Sequence, residues 1–213
     1  MRVTGLRERK KQRTREALIR AAIELFIERG YEQTTVDEIA AAVDVSQRTF
    51  FRYFATKEDV AFALHDMIEQ RFFAAVREQP PGVPPSQAMR IAIESTWNGI
   101  GASIEDTVPV RVYMRMWQTI EQTPALVAVL LRRSIDSSER LAAEIARREG
   151  VDLETDPRPR VVVAAYTGVM QAAARHWGTN AEVTVDAARE RTMAYLDQLG
   201  PSLSEDWGTG RKD

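Results

Sequence analysis

The chain of 213 residues has no cysteine and only two histidines, His65 and His176. The first absence excludes disulfides, a thiolate nucleophile and a cysteine-based metal site, and it fits a reducing compartment. The scarcity of histidine leaves little for a metal centre. His65 and Glu69 stand one helical turn apart, but with a single further imidazole in the chain the pair reads as a solvated helix face, so no metal is expected. No serine lies in a glycine-flanked elbow, so a hydrolase built on the C-terminal part would lack a nucleophile, a base and an orienting group. Neither enzymatic activity nor a cofactor is expected. No apolar run approaches the roughly 18 residues of a membrane span. The basic N-terminus also lacks the apolar core of a secretory signal. The expectation is a soluble, cytoplasmic protein with no membrane partner.

What is present is an apolar content of 44%, ample for a buried core, and a formal net charge of −2 that is unevenly spread. Within residues 1–20, Arg2, Arg7, Arg9, Lys10, Lys11, Arg13, Arg15 and Arg20 face only Glu8 and Glu16, a local excess of +6 that leaves −8 for the rest. A basic end on an acidic body suits a protein that meets phosphates at one end only. Residues 1–11 read as a flexible basic arm.

The informative stretch is Thr34 to Asp59. Before it, Leu18, Ile19, Ala22, Leu25 and Phe26 form a helical stripe over about Gln12–Arg29, and Gly30 follows where a left-handed terminating residue is wanted. Thr35 precedes Glu38 by three residues, a capping box that starts a second helix at about Val36. Ser46 is a good N-cap for a third, about Gln47–Phe54, so only a three- or four-residue turn separates the two. Phe50 and Phe54 lie one turn apart and can both fill a small core, a rotation that turns Gln47, Arg48, Phe51 and Arg52 elsewhere. The N-terminal residues of such a helix meet base edges in the major groove. Gln47 can pair with adenine and Arg48 with guanine, each worth about 1–3 kcal/mol of discrimination. Phe51 suits a thymine methyl or a sugar, unless it packs in the core. Thr35, Ser46, Thr49, Arg52, Tyr53 and Lys57 are candidates for phosphate contacts, which position without specifying.

These residues resemble the TetR-like transcriptional regulators. The resemblance spans about Arg13 to Val60 and rests on the RGY ending of the first helix, TTVDEIAAAVDVS, and RTFFRYFATKEDV with its lysine at the start of helix four. Asp44 stands where that family often has glycine, a substitution that aspartate tolerates. The resemblance implies that Gln47 and Arg48 vary with operator sequence, that the fourth helix links reader and regulatory domain, and that the final two helices dimerise. The stretch DPRPRVVVAAYTGVMQAAARHW also looks like a C-terminal domain of the mycofactocin-type branch, some of whose members sense acyl-CoA.

The rest of the chain reads as further helices, about nine in all. Thr56 and Asp59 cap a fourth, about Lys57–Gln79, ended by a Pro-rich turn at residues 80–85. Others cover residues 86–104, with Gly99 permitting a bend, and residues from Pro109, 125–148, 160–176 and 185–199. Met67, Trp97, Tyr113, Met114 and Trp117 are candidate lining for an apolar effector pocket, since Met and aromatic side chains adapt to varied ligands, although aromatics at helical spacing also fill ordinary cores. Val162, Tyr166, Val169, Ala173, Met193 and Leu196 are the candidate dimer face. The expected fold is all-α, an N-terminal three-helix reader over residues 1–57, a ligand-binding and dimerisation domain over 58–200, and a disordered tail over 201–213. The expected function is a homodimeric, sequence-specific binder of double-stranded DNA. It would be a repressor released from a pseudo-palindromic operator by an apolar or acyl-CoA-like effector. The alternative is a constitutive binder or an activator without an effector.

Overall fold

The computed structural model describes residues 5–178 and 184–203. Among these the chain is all-α. The helices are α1 (Leu6–Arg29), α2 (Val36–Ala42), α3 (Gln47–Phe51), α4 (Lys57–Ala61), α5 (Ala63–Arg77), α6 (Pro85–Asn98), α7 (Ile100–Ile104), α8 (Val110–Gln122), α9 (Pro124–Glu149), α10 (Arg158–Gly178), α11 (Val185–Asp197) and α12 (Leu199–Leu203). The excess over the expected nine comes from interruptions inside expected helices. Phe62 (φ −96°, ψ 2°) separates α4 from α5, Gly99 (φ −98°, ψ 2°) separates α6 from α7, and Gln198 separates α11 from α12. No helix among the described residues is long and apolar enough to cross a membrane.

Two expectations about the ends change. Residues 6–11 are not a flexible arm but the first turns of α1, because Arg, Lys and Gln are strong helix formers and the Thr14 hydroxyl and Gln12 amide bond within the helix, to the Lys10 carbonyl (3.0 Å) and to Glu16 (2.7 Å). At the other end, residues 201–203 of the expected disordered tail belong to α12 (Leu199–Leu203). Residues 1–4 of the arm and 204–213 of the tail lie outside the described residues.

The chain divides into two compact units. The first comprises the residues up to Gln70 together with Gly99–Val129. In it α1 packs against α2, α4 and α8, and α2 against α3. Its core takes Leu18, Ile19, Ile23 and Phe26 from α1, Ile39 and Ala40 from α2, then Phe50, Phe54, Val60 and Phe62. Burying one such side chain stabilises by about 1.5–3 kcal/mol. Arg20 of α1 donates through Nε to the Thr107 carbonyl (2.9 Å).

The second unit holds Arg71–Asn98 and the chain from Leu130 onward. Here α10 and α11 pack on each other and on α6, around Val76, Met89, Ile93, Leu141, Ile145, Val163, Tyr166 and Leu196. The Pro-rich turn is pinned by one side chain. The Arg148 guanidinium, almost wholly covered, donates to the carbonyls of Pro80 (2.9 Å) and Val83 (2.6 Å). Prolines 80, 81, 84 and 85 have no N–H to donate, so the turn has few donors of its own, the Val83 N–H to the Pro80 carbonyl (3.3 Å) among them, and Arg148 supplies others. Arg148→Met keeps the stem and removes these charge-assisted bonds. It should lower unfolding stability by about 2–3 kcal/mol in a denaturant titration.

Candidate nucleic-acid interface

The candidate interface lies in the first unit and is built from capped short helices. Thr35 accepts from the Glu38 N–H (3.2 Å) while the Glu38 carboxylate accepts from the Thr35 N–H (2.8 Å), the reciprocal pair expected from their spacing. That backbone N–H, with the Thr35 hydroxyl, holds the Glu38 carboxyl below the usual range. Thr56 and Asp59 form the same box at α4, with both bonds at 3.1 Å. Ser46 caps α3 by accepting from the Thr49 N–H (3.2 Å), and the two hydroxyls lie 3.0 Å apart. Helices of five to seven residues cannot persist by propagation alone, so these caps and the core beneath them decide that they form.

Between α2 and α3 the chain turns at Asp44, whose φ of 54° is the left-handed conformation anticipated for this residue in place of glycine. The turn lets α3 present one face. Phe50 is wholly buried and Phe54 nearly so, whereas Gln47, Arg48, Phe51 and Arg52 are exposed. Phe51 is 48% exposed, edge-on to Phe50 at 5.4 Å, so the core reading of that side chain gives way to a surface one. Thr49 and Tyr53 are half-buried on the flanks, and the Arg52 guanidinium lies 5.3 Å from the Tyr53 ring centre.

Lys57 holds a more constrained place than its position in the sequence suggests. Its ammonium donates to the Tyr31 carbonyl (2.8 Å) and the Thr34 carbonyl (2.9 Å) and lies 4.1 Å from the centre of the Tyr31 ring. Burial lowers its pKa, against the opposing pull of Glu58 and Glu32. The Tyr31 hydroxyl donates to Glu58 (2.8 Å), and burial followed by this bond raises the phenol's pKa. The link after α1 is thus tied to the start of α4, and two of the three lysine protons are engaged. Tyr31 enters the sequence pattern only as the last residue of the RGY ending. The signal it offered was an aromatic directly after the terminating glycine, which says nothing of a partner 26 residues away.

The remaining candidates fall in different places. Tyr113, Met114 and Trp117 are buried on α8, and the Trp117 ring stacks at 5.3 Å on His65 of α5. Burial alone raises the Tyr113 pKa. Met67, half-buried on α5, is also in the first unit. Trp97 belongs to the second, edge-on to Trp177 at 6.3 Å. Of the candidate dimer face, Tyr166, Ala173 and Leu196 are buried within the second unit, and the Tyr166 hydroxyl donates to the Ser86 carbonyl (2.8 Å). Val162, Val169 and Met193 pack partly against that core. The side of α10 that faces outward carries Val161, Ala164, Gly168 and Ala172.

The chain matches two family models, that of the bacterial regulatory proteins of the TetR family over residues 18–64 and that of the MftR C-terminal domain over residues 83–200. It is 44% identical to the HTH-type transcriptional regulator TcmR of Streptomyces glaucescens, across 95% of this chain and 90% of that protein. It is 29% identical to MftR of Mycobacterium tuberculosis, across 92% and 93%. Two solved structures share the fold. One is SmeT in complex with triclosan (TM-score 0.61, 16% identity, 90% and 91% covered). The other is NalD, the secondary repressor of the MexAB-OprM efflux pump in Pseudomonas aeruginosa (TM-score 0.59, 16% identity, 93% and 100% covered). With matched models over both parts of its length and a capped helix-turn-helix, the chain belongs to the TetR family of bacterial regulatory proteins, DNA-binding transcriptional regulators and not enzymes.

Proposed function

We propose that the protein is a cytoplasmic, homodimeric repressor that binds a pseudo-palindromic operator and is released by a small apolar ligand. The observation that carries this is the outward face of α3, where Gln47, Arg48 and Phe51 stand exposed on a helix whose opposite side is locked by Phe50 and Phe54. Residues 1–57 act as the reader and residues 58–200 as the regulatory and dimerising part. Thr35, Ser46, Thr49, Arg52 and Tyr53 surround the reading face and hold phosphates. Lys57 adds one contact through its remaining proton while its other two fix the start of α4. Release follows from linkage, since a ligand that favours a spacing of the two readers unsuited to DNA weakens DNA binding by the factor that DNA weakens its own.

The dimer forms through α10 and α11. Because Tyr166, Ala173 and Leu196 serve the unit's own core, the meeting surface shifts to Val161 (63% exposed), Ala164, Gly168 and Ala172. The adjacent Leu131 and Ile135 of α9 (41% and 67% exposed) extend it, since α9 lies along α10 through Gln171 to Ser134 (2.9 Å). Small side chains allow close helix approach, and apolar ones left in water are the surface such contact removes.

The deciding experiment is selection of bound DNA from a random pool, with and without apolar molecules and acyl-CoA esters. Recovery of no palindromic site sinks the proposal, and a ligand that binds should also raise the melting temperature. Arg48→Ala should relax preference at one base position at a cost of about 1–3 kcal/mol. Lys57→Ala should weaken binding to every sequence, flatten the salt dependence by about one unit, and lower the melting temperature through loss of its two carbonyl bonds. An unchanged slope removes the phosphate role and leaves the structural one. Combined Ile135→Glu and Ala164→Glu, both at exposed positions, should give monomers in sedimentation and loss of cooperative binding; dimers of unchanged stability would refute the assigned face.

A further inference from the structure

A carboxylate beside a phosphate contact works against DNA binding, because it repels the charge that the neighbouring cation attracts. Glu58 directly follows Lys57, the lysine assigned above to a phosphate. Its place in the first turn of α4 explains part of this, since negative charge suits a helix N-terminus. That effect asks nothing of Tyr31. Yet the Tyr31 hydroxyl, on a side chain only 6% exposed, donates to the Glu58 carboxylate at 2.8 Å.

Three groups of Tyr31 meet the start of α4. The hydroxyl meets Glu58, whereas the ring face and the carbonyl meet the Lys57 ammonium, 4.1 Å from the ring centre and 2.8 Å from the oxygen. Phe26 backs the ring at 5.2 Å between centres. The Thr34 hydroxyl donates to the Gly30 carbonyl (2.8 Å) and so steadies the second carbonyl that Lys57 bonds, its own, at 2.9 Å. Burial opposes the charge of the Glu58 carboxyl, but its own N–H, the Tyr31 hydroxyl, Thr56 and Lys57 together hold it below the usual range. The carboxylate is therefore charged at neutral pH. A phenol bonded to it carries more electron density in its ring, the face on which the ammonium rests.

We infer that Glu58 is a positioning residue for DNA binding, which acts through Tyr31 to hold the Lys57 ammonium ready for a phosphate and so strengthens affinity for DNA instead of weakening it. This rests on the regulator reading above, in which Lys57 meets the backbone. A free lysine side chain samples many rotamers, and ordering it at the moment of binding costs affinity. Tyr31, fixed at both its hydroxyl and its ring, orders Lys57 beforehand.

The test uses the full chain on a site that wild type selects from a random pool. Glu58→Gln keeps the size of the side chain and removes its charge, while Tyr31→Phe keeps the ring and alters no charge. Each is measured alone and combined with Lys57→Ala, across a range of salt and well below the melting temperature of every variant. Both single variants should lose about two- to tenfold in affinity for each half-site, the cost of ordering one long side chain on binding. Base preferences should stay as in wild type. In the Lys57→Ala background neither substitution should weaken binding further, an outcome that damage to the fold alone would not produce. Equal or tighter binding by Glu58→Gln, as expected of a carboxylate that only repels phosphates, overturns the inference. Unchanged affinity of Tyr31→Phe overturns it too, as does a loss of the same size with and without Lys57. All three results leave the regulator reading standing, because wild type still selects its site. Failure of wild type to select any site overturns both.

Discussion

The structure turns on the burial of Phe50 in α3 and of Phe54 just past its C-terminal end. A helix this short has no orientation of its own, and a rotation by one residue would bring Phe51 inward and turn Arg48 toward the flank. The two phenylalanines, one turn apart with ring centres at 5.6 Å, remove that freedom. What remains outside is then a consequence of what had to go inside. The outward face of α3 is specified by core physics before any partner is present, and what it offers is the set of residue types left over. The same logic explains the caps, since Ser46, Thr35 and Thr56 set where each helix begins and so which residues fall in its first turn.

Around that fixed helix, polar links set the spacing of its supports. Lys57 joins the start of α4 to the link after α1, and the Tyr31–Glu58 bond ties the same two points a second time. Partly covered charges of this kind stabilise only when their hydrogen bonds are complete, which makes them sensitive to small displacements. Charge elsewhere is kept apart from this region, so that a chain with formal net charge −2 carries a cationic first helix. Long-range repulsion from DNA then acts on the acidic remainder and favours approach by one end.

The sequence was most legible where partners are close along the chain. Both capping boxes, the turn at Asp44 and the outward placing of Gln47 and Arg48 follow from spacings of three and four residues and the structure shows them as read, whereas Phe51, which the sequence left between core and surface, is exposed. It was least legible on α10, a helix apolar around much of its circumference. There periodicity cannot tell which side meets the chain's own core, and Tyr166 and Ala173 proved to be inside while Val161 and Gly168 are outside. Trp97, grouped by residue type with Trp117, falls in a different compact unit, because type carries no information about which helices become neighbours.

By itself the sequence determined the helical class, the helix-turn-helix with its caps and the separation of charge, which depend on short-range backbone chemistry or on composition, while the family was legible only through the resemblance of its motifs. Only the tertiary structure decided that the Lys57 ammonium is held by the carbonyls of Tyr31 and Thr34, that Arg15 lies over Phe54, that Arg148 closes the Pro-rich turn, and which face of α10 points outward. These contacts join residues tens of positions apart. Their formation depends on which faces the whole chain can bury together, and no local pattern of residues encodes that choice.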